Sequence, residues 1–103
     1  MKKLSAILLL SAAGLVVSGQ AVADEALAKA KNCTTCHAND KKLIGPSYKD
    51  VAAKYKAADV PMLVDKVLNG GSGVWGAVPM TPNKATVSKE EAEKLVKWVL
   101  TIK

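Results

Sequence analysis

The chain has 103 residues, with Lys+Arg 15 against Asp+Glu 9 and a formal net charge of +6 at pH 7. That length holds one small domain and excludes a multidomain architecture. Apolar residues make up 50% but aromatics only 4%, with no Phe, so side chains alone build a thin core, and a domain of this size calls for a disulfide, a metal or another bound group.

Residues 1–23 read as a leader. Lys2 and Lys3 precede an uncharged apolar stretch from Leu4 to Val17, and Ala21-Val22-Ala23 supplies the small residues of a cleavage site. The apolar stretch is short for a bilayer span and has the order of a secretory signal. The expected division is a cleaved signal peptide at 1–23 and one domain at 24–103, exported, still basic, and with no stable membrane insertion after cleavage.

The first helix is expected from Asp24 to Asn32, with an acidic start and Ala26, Leu27 and Ala30 on one side. A second starts at Ser47, whose hydroxyl can cap, with Tyr48, Val51, Ala52 and Tyr55 at helical spacing, and fades by Lys56. A third begins near Asp59, takes Pro61 in its first turn, buries Leu63, Val64, Val67 and Leu68, and stops at Gly70. The last has Ser88 as cap and Glu91 completing a capping box, with Leu95, Trp98, Val99 and Ile102 as its buried stripe to the C-terminus. Period-two alternation persists nowhere, and Gly76, Pro79 and Pro82 break the stretch from Val74 to Val87. The expected class is therefore all-α, with a flexible glycine run at Gly70–Gly73 and one long loop.

Chemistry concentrates at Cys33-Thr34-Thr35-Cys36-His37. A disulfide closing so short a loop would restrict the unfolded chain little. C-x-x-C-H is instead the pattern of covalent c-type heme attachment: two thiols two residues apart reach two vinyl groups of one porphyrin, and the adjoining imidazole serves the iron. A zinc site would need more ligands than two Cys and one His provide. A redox dithiol normally sits in a βαβ setting, which is missing here. The opposite side of the iron is either open, as in a peroxidase or gas-binding protein, or closed by a second ligand. Met62 falls in the first turn of the third helix and reads as packing. Met80 lies in Val78-Pro79-Met80-Thr81-Pro82-Asn83, where flanking prolines stiffen a loop that can hold sulfur to iron.

Together C-x-x-C-H, Gly45-Pro46, Gly73-Val74-Trp75-Gly76, Val78-Pro79-Met80 and Trp98-Val99-Leu100 resemble the small bacterial class I cytochromes c. Within them the chain is similar to the periplasmic monohaem group that passes electrons to nitrite reductases and terminal oxidases, over essentially Asp24 to Lys103. The resemblance implies about four helices packed around one heme c, bound covalently through Cys33 and Cys36, with His37 and Met80 as axial ligands. It implies a periplasmic monomeric electron carrier in respiration rather than an enzyme; a module of a larger oxidoreductase complex is the alternative. It also implies that the Pro46 carbonyl accepts the His37 Nδ1 proton, that Asn83 hydrogen-bonds near the Met80 sulfur, and that Trp75 and Lys66 lie near a heme propionate. Lys29, Lys31, Lys41, Lys42, Lys54 and Lys56 would steer the protein towards redox partners with acidic docking surfaces. No basic cluster interleaved with stacking aromatics points to nucleic acid. Two departures stand out. Thr81 replaces a second proline after the methionine, and Ala28 stands where many relatives carry an aromatic, leaving Trp98 to find smaller partners.

Overall fold

The computed structural model describes residues 24–103; the expected leader and its cleavage site lie outside the described residues. Four helices carry the described chain: α1 over residues 24–30, α2 (Tyr48–Lys54), α3 (Val60–Asn69) and α4 (Lys89–Val99). Their limits follow local chemistry. Ser47 caps α2 by accepting the Asp50 N–H at 3.1 Å. Ser88 and Glu91 form a reciprocal capping box at α4, with bonds of 3.1 and 2.9 Å, which satisfies donors that the first turn leaves free. At α3 the Asp59 carboxylate bonds back to the Lys56 N–H at 2.9 Å. This bond closes a short 3-10 turn (Ala57–Asp59) that the sequence pattern did not announce.

The core gathers Ala28, Val64, Val87, Ala92, Leu95 and Val96. Ala28 and Ala92 have no exposed surface, and such small side chains let backbones approach closely. Lys31 clasps the end of α1 to the start of α4: its Nζ donates to the Thr86 carbonyl at 2.7 Å and lies 3.4 Å from Glu91. It is therefore committed to a contact within the fold rather than free to steer a partner.

Three expectations change. Gly71–Gly73 and Gly76–Met80 pair as an antiparallel hairpin, β1 and β2, with Gly71 opposite Met80 and Gly73 opposite Gly76. A Gly-Ser-Gly strand carries no side-chain pattern and β2 is exposed up to Met80, so hydrophobic alternation had nothing to mark. The glycine run is thus paired backbone. Trp98 finds an aromatic partner after all: Tyr48 meets it edge to face, ring centres 5.5 Å apart. Finally, α4 ends at Val99, short of Ile102, and Val96 joins Leu95 in the core.

Candidate heme site

The chain leaves α1 through Asn32, whose φ of 63° turns it left-handed, a conformation Asn tolerates better than most residues. The 3-10 turn Cys33–Thr35 follows directly. His37 N–H bonds to the Cys33 carbonyl at 3.0 Å, so both thiols and the imidazole issue from one tightened turn. Cys33 and Cys36 are free thiols, each partly exposed. Burial raises the Cys33 pKa. Burial likewise raises Tyr48, so its hydroxyl stays a donor.

His37 Nδ1 lies 2.8 Å from the Pro46 carbonyl. A carbonyl only accepts, so Nδ1 carries the proton and Nε2 of the neutral ring keeps its lone pair for a metal. Gly45 makes this approach possible: a Cβ there would lie 2.6 Å from His37 Cε1 and 2.9 Å from Nδ1. The same loop is pinned by Gly45 N–H to the Cys36 carbonyl at 2.7 Å and by Tyr48 and Lys49 N–H groups to the Ala38 and Asn39 carbonyls, each at 2.9 Å.

The second group of site residues belongs to the hairpin and its base. Met80 ends β2 and is only partly buried. Asn83 Nδ2 donates to the Val67 and Thr81 carbonyls, both at 3.1 Å, and its backbone N–H reaches the Val67 carbonyl. Its amide therefore binds the methionine loop to the last turns of α3. Lys66 lies along β1, its Nζ 3.0 Å from where a Gly71 Cβ would stand. Trp75, in the hairpin turn, is 41% exposed. It meets Tyr55 edge to face at 6.4 Å with Lys54 Nζ over both rings, at 5.9 and 5.7 Å.

Cys33, Cys36, His37 and Pro46 thus form one assembly and Met80, Asn83, Lys66 and Trp75 another. No hydrogen bond joins the two among the described residues. Reasoning from sequence read Tyr48 and Tyr55 as a helix stripe and Lys54 as a steering charge, and missed their ring contacts at the site. A usable signal existed, because a chain with two Trp, two Tyr and no Phe places every aromatic in a ring pair.

The residues fit a heme. The donor set offers a reduced thiol pair, an imidazole with a free Nε2 and a thioether. Among the described residues the exposed large apolar side chains are Leu43, Ile44, Val74, Trp75 and Val78, in the segments after C-x-x-C-H and before Met80, and Met62 on α3. A porphyrin held between those two segments would supply apolar area to cover them. Among the described residues no helix is long and apolar enough to cross a membrane.

Comparison with known proteins converges on the same chemistry. The family described as Cytochrome c matches residues 18–103. The chain is 45% identical to cytochrome c-551 of Pseudomonas aeruginosa over 106 aligned positions, covering 100% of both chains. It is 53% identical to cytochrome c-551 of Azotobacter vinelandii, over 77% of this chain and 96% of that one. The crystal structure of wild-type Nitrosomonas europaea cytochrome c552 superposes with a TM-score of 0.73 at 46% identity, covering 77% of this chain and 99% of that one.

Proposed function

We propose that this chain, which belongs to the cytochrome c family and is an electron-transfer protein carrying covalent heme c, works as a periplasmic monomeric carrier with His37 and Met80 as axial ligands. When bound, the heme supplies a one-electron Fe(II)/Fe(III) couple. Cys33 and Cys36 hold it as thioethers. His37 offers Nε2, and the Pro46 carbonyl keeps the Nδ1 proton in place and the ring basic. Met80 brings a soft thioether that favours the ferrous state and raises the potential. Met62 is 38% exposed on α3 and takes no part.

The observation that carries this reading is the His37 Nδ1 to Pro46 contact at the end of a turn bearing two free thiols. With His37 and Met80 both holding the iron, the site would leave no open position for a substrate, which supports a carrier rather than an enzyme on its own. The leader at 1–23 supports export to the periplasm. The exposed lysines, Lys41, Lys42 and Lys56 among them, support encounter with acidic docking surfaces on a terminal reductase or oxidase.

The test is the purified mature protein. It should begin at Asp24, give a heme-stained band on denaturing electrophoresis, and show the weak sulfur-to-ferric charge-transfer band. A high-spin spectrum with carbon monoxide binding at an open position would overturn the carrier reading in favour of the peroxidase or gas-binding one.

A further inference from the structure

Tyr48 is 6% exposed, and nothing in the ligand set accounts for it. Its ring stacks on His37, centres 5.1 Å apart with planes 20° from parallel. Trp98 of α4 meets the same ring edge to face, 5.5 Å away at 75°. Both separations lie in the range where aromatic rings attract beyond simple area burial. The ring also starts from a fixed point. Tyr48 is the first residue of α2, Ser47 before it is the buried helix cap, and its own N–H is bonded to Ala38 at 2.9 Å.

Three consecutive residues therefore converge on one imidazole. The Pro46 carbonyl accepts a hydrogen bond from Nδ1–H, Ser47 anchors the helix, and Tyr48 supplies the stacking plane. We infer that Tyr48 is a positioning residue for the proximal imidazole, and that it transmits the packing of α4, through Trp98, to the orientation of His37. Rotation of the His37 ring about its Cβ–Cγ bond would break the Nδ1 bond to Pro46, and a flat neighbour at stacking distance opposes that rotation. Trp98 in turn opposes withdrawal of the Tyr48 ring. A residue in the last turns of α4 thereby acts on the site without touching it.

This inference rests on His37 being the iron ligand, and the two are separable in one experiment on the ferrous, diamagnetic holo-protein. Heme-induced displacement of the His37 ring resonances reads ligation, and hydrogen exchange of the His37 Nδ1–H reads positioning. The comparison variant is Val64→Ala, which weakens the core in α3 at a residue that belongs to neither ring pair. Tyr48→Leu should exchange this proton roughly tenfold faster than Val64→Ala under conditions where the two have equal global stability. Tyr48→Phe should exchange at the wild-type rate, because the ring and not the hydroxyl is invoked. Trp98→Leu should accelerate exchange in the same sense by a smaller factor. Equal rates in Tyr48→Leu and Val64→Ala would overturn the inference. If Tyr48→Leu fails to fold, Trp98→Leu matching Val64→Ala, or Tyr48→Phe exchanging as fast as Trp98→Leu, would overturn it equally. Absence of heme-induced displacement at His37 would instead remove the ligation reading.

Discussion

The two halves of the site are built differently. Around His37 the chain supplies everything locally: a tightened turn, a carbonyl on Nδ1, a glycine that lets the backbone approach, and a buried aromatic ring. Around Met80 it supplies a short exposed hairpin, three of whose four register partners are glycine, with an asparagine side chain fastening its base. Rotation of His37 breaks contacts internal to the segment 33–49, whereas Met80 is held by a strand with few side-chain anchors. Such regions sit at the low end of local stability. On the proposed ligation the polypeptide alone would set His37, whereas a bond from the Met80 sulfur would supply order that the hairpin lacks.

The strongest way to break that contrast is to remove the thioether. Met80→Ala should abolish the sulfur-to-ferric band, lower the potential and admit carbon monoxide, with the heme still covalently attached. Met62→Ala should leave the band intact. A band surviving Met80→Ala, or lost in Met62→Ala, would show that the two halves have been wrongly assigned.

A matched pair of glycines sharpens it further. Gly70 has φ 75° and a Cβ there would collide with the Met80 carbonyl. Gly70→Ala should cost about 1–3 kcal/mol in backbone strain alone, because φ 75° with ψ −166° is a conformation essentially reserved to glycine, and it should also displace Met80, so the charge-transfer band weakens along with Tm. Gly45→Ala puts its new methyl against His37, and the ring must give by several tenths of an ångström, an overpacking cost of about 1–3 kcal/mol. Its signature should be faster exchange of the His37 Nδ1–H with the band retained. Band loss in both variants, or in neither, would mean the halves are not independent.

Asn83→Ala probes the side-chain fastening of the methionine loop and leaves its backbone bonds to α3 in place. It removes two side-chain bonds to the Val67 and Thr81 carbonyls, worth about 0.5–1.5 kcal/mol each. Carbon monoxide should displace Met80 faster, by a factor visible in stopped-flow traces, while His37 resonances stay in place.

Helices were legible because their signals are local. Ser88 with Glu91, Ser47 with Asp50, and Pro61 before a stripe ending at Gly70 mark helix ends without any tertiary information. C-x-x-C-H was legible because its chemistry lies within five residues. The hairpin was not, since Gly71-Ser72-Gly73 is a strand only by virtue of what pairs with it. Nor was the support of His37: Tyr48 fits a helical stripe equally well as simple core, and its position between His37 and Trp98 depends on where α4 lies. Trp98 was expected to meet small residues because its usual aromatic neighbour was missing from α1, and the substitute came from α2. Asn83 was legible as a site residue, but its amide is spent on the backbone of α3 and Thr81. That fastening lies beside the position where a second proline is missing.

The smallest expected effect lies outside both halves and serves as their control. Glu91 caps α4 and pairs with Lys31. The Ser88 N–H first, and the Lys31 charge after it, hold its pKa below the ordinary 4.5. A carboxyl lowered in the folded state adds stability that is present above the unfolded value and lost as pH falls through the folded one. Wild-type protein should therefore lose this contribution on acidification below about pH 4.5. Glu91→Gln keeps an oxygen for the Ser88 N–H but cannot ionise, so its Tm should sit slightly below wild type at pH 7 and the gap should close at pH 3. Because the clasp joins α1 to α4 and touches neither His37 nor Met80, the charge-transfer band and the Nδ1–H exchange should be unchanged at neutral pH. A Tm gap that persists undiminished at pH 3 would assign the contribution of Glu91 to packing or to the neutral hydrogen bond rather than to its charge.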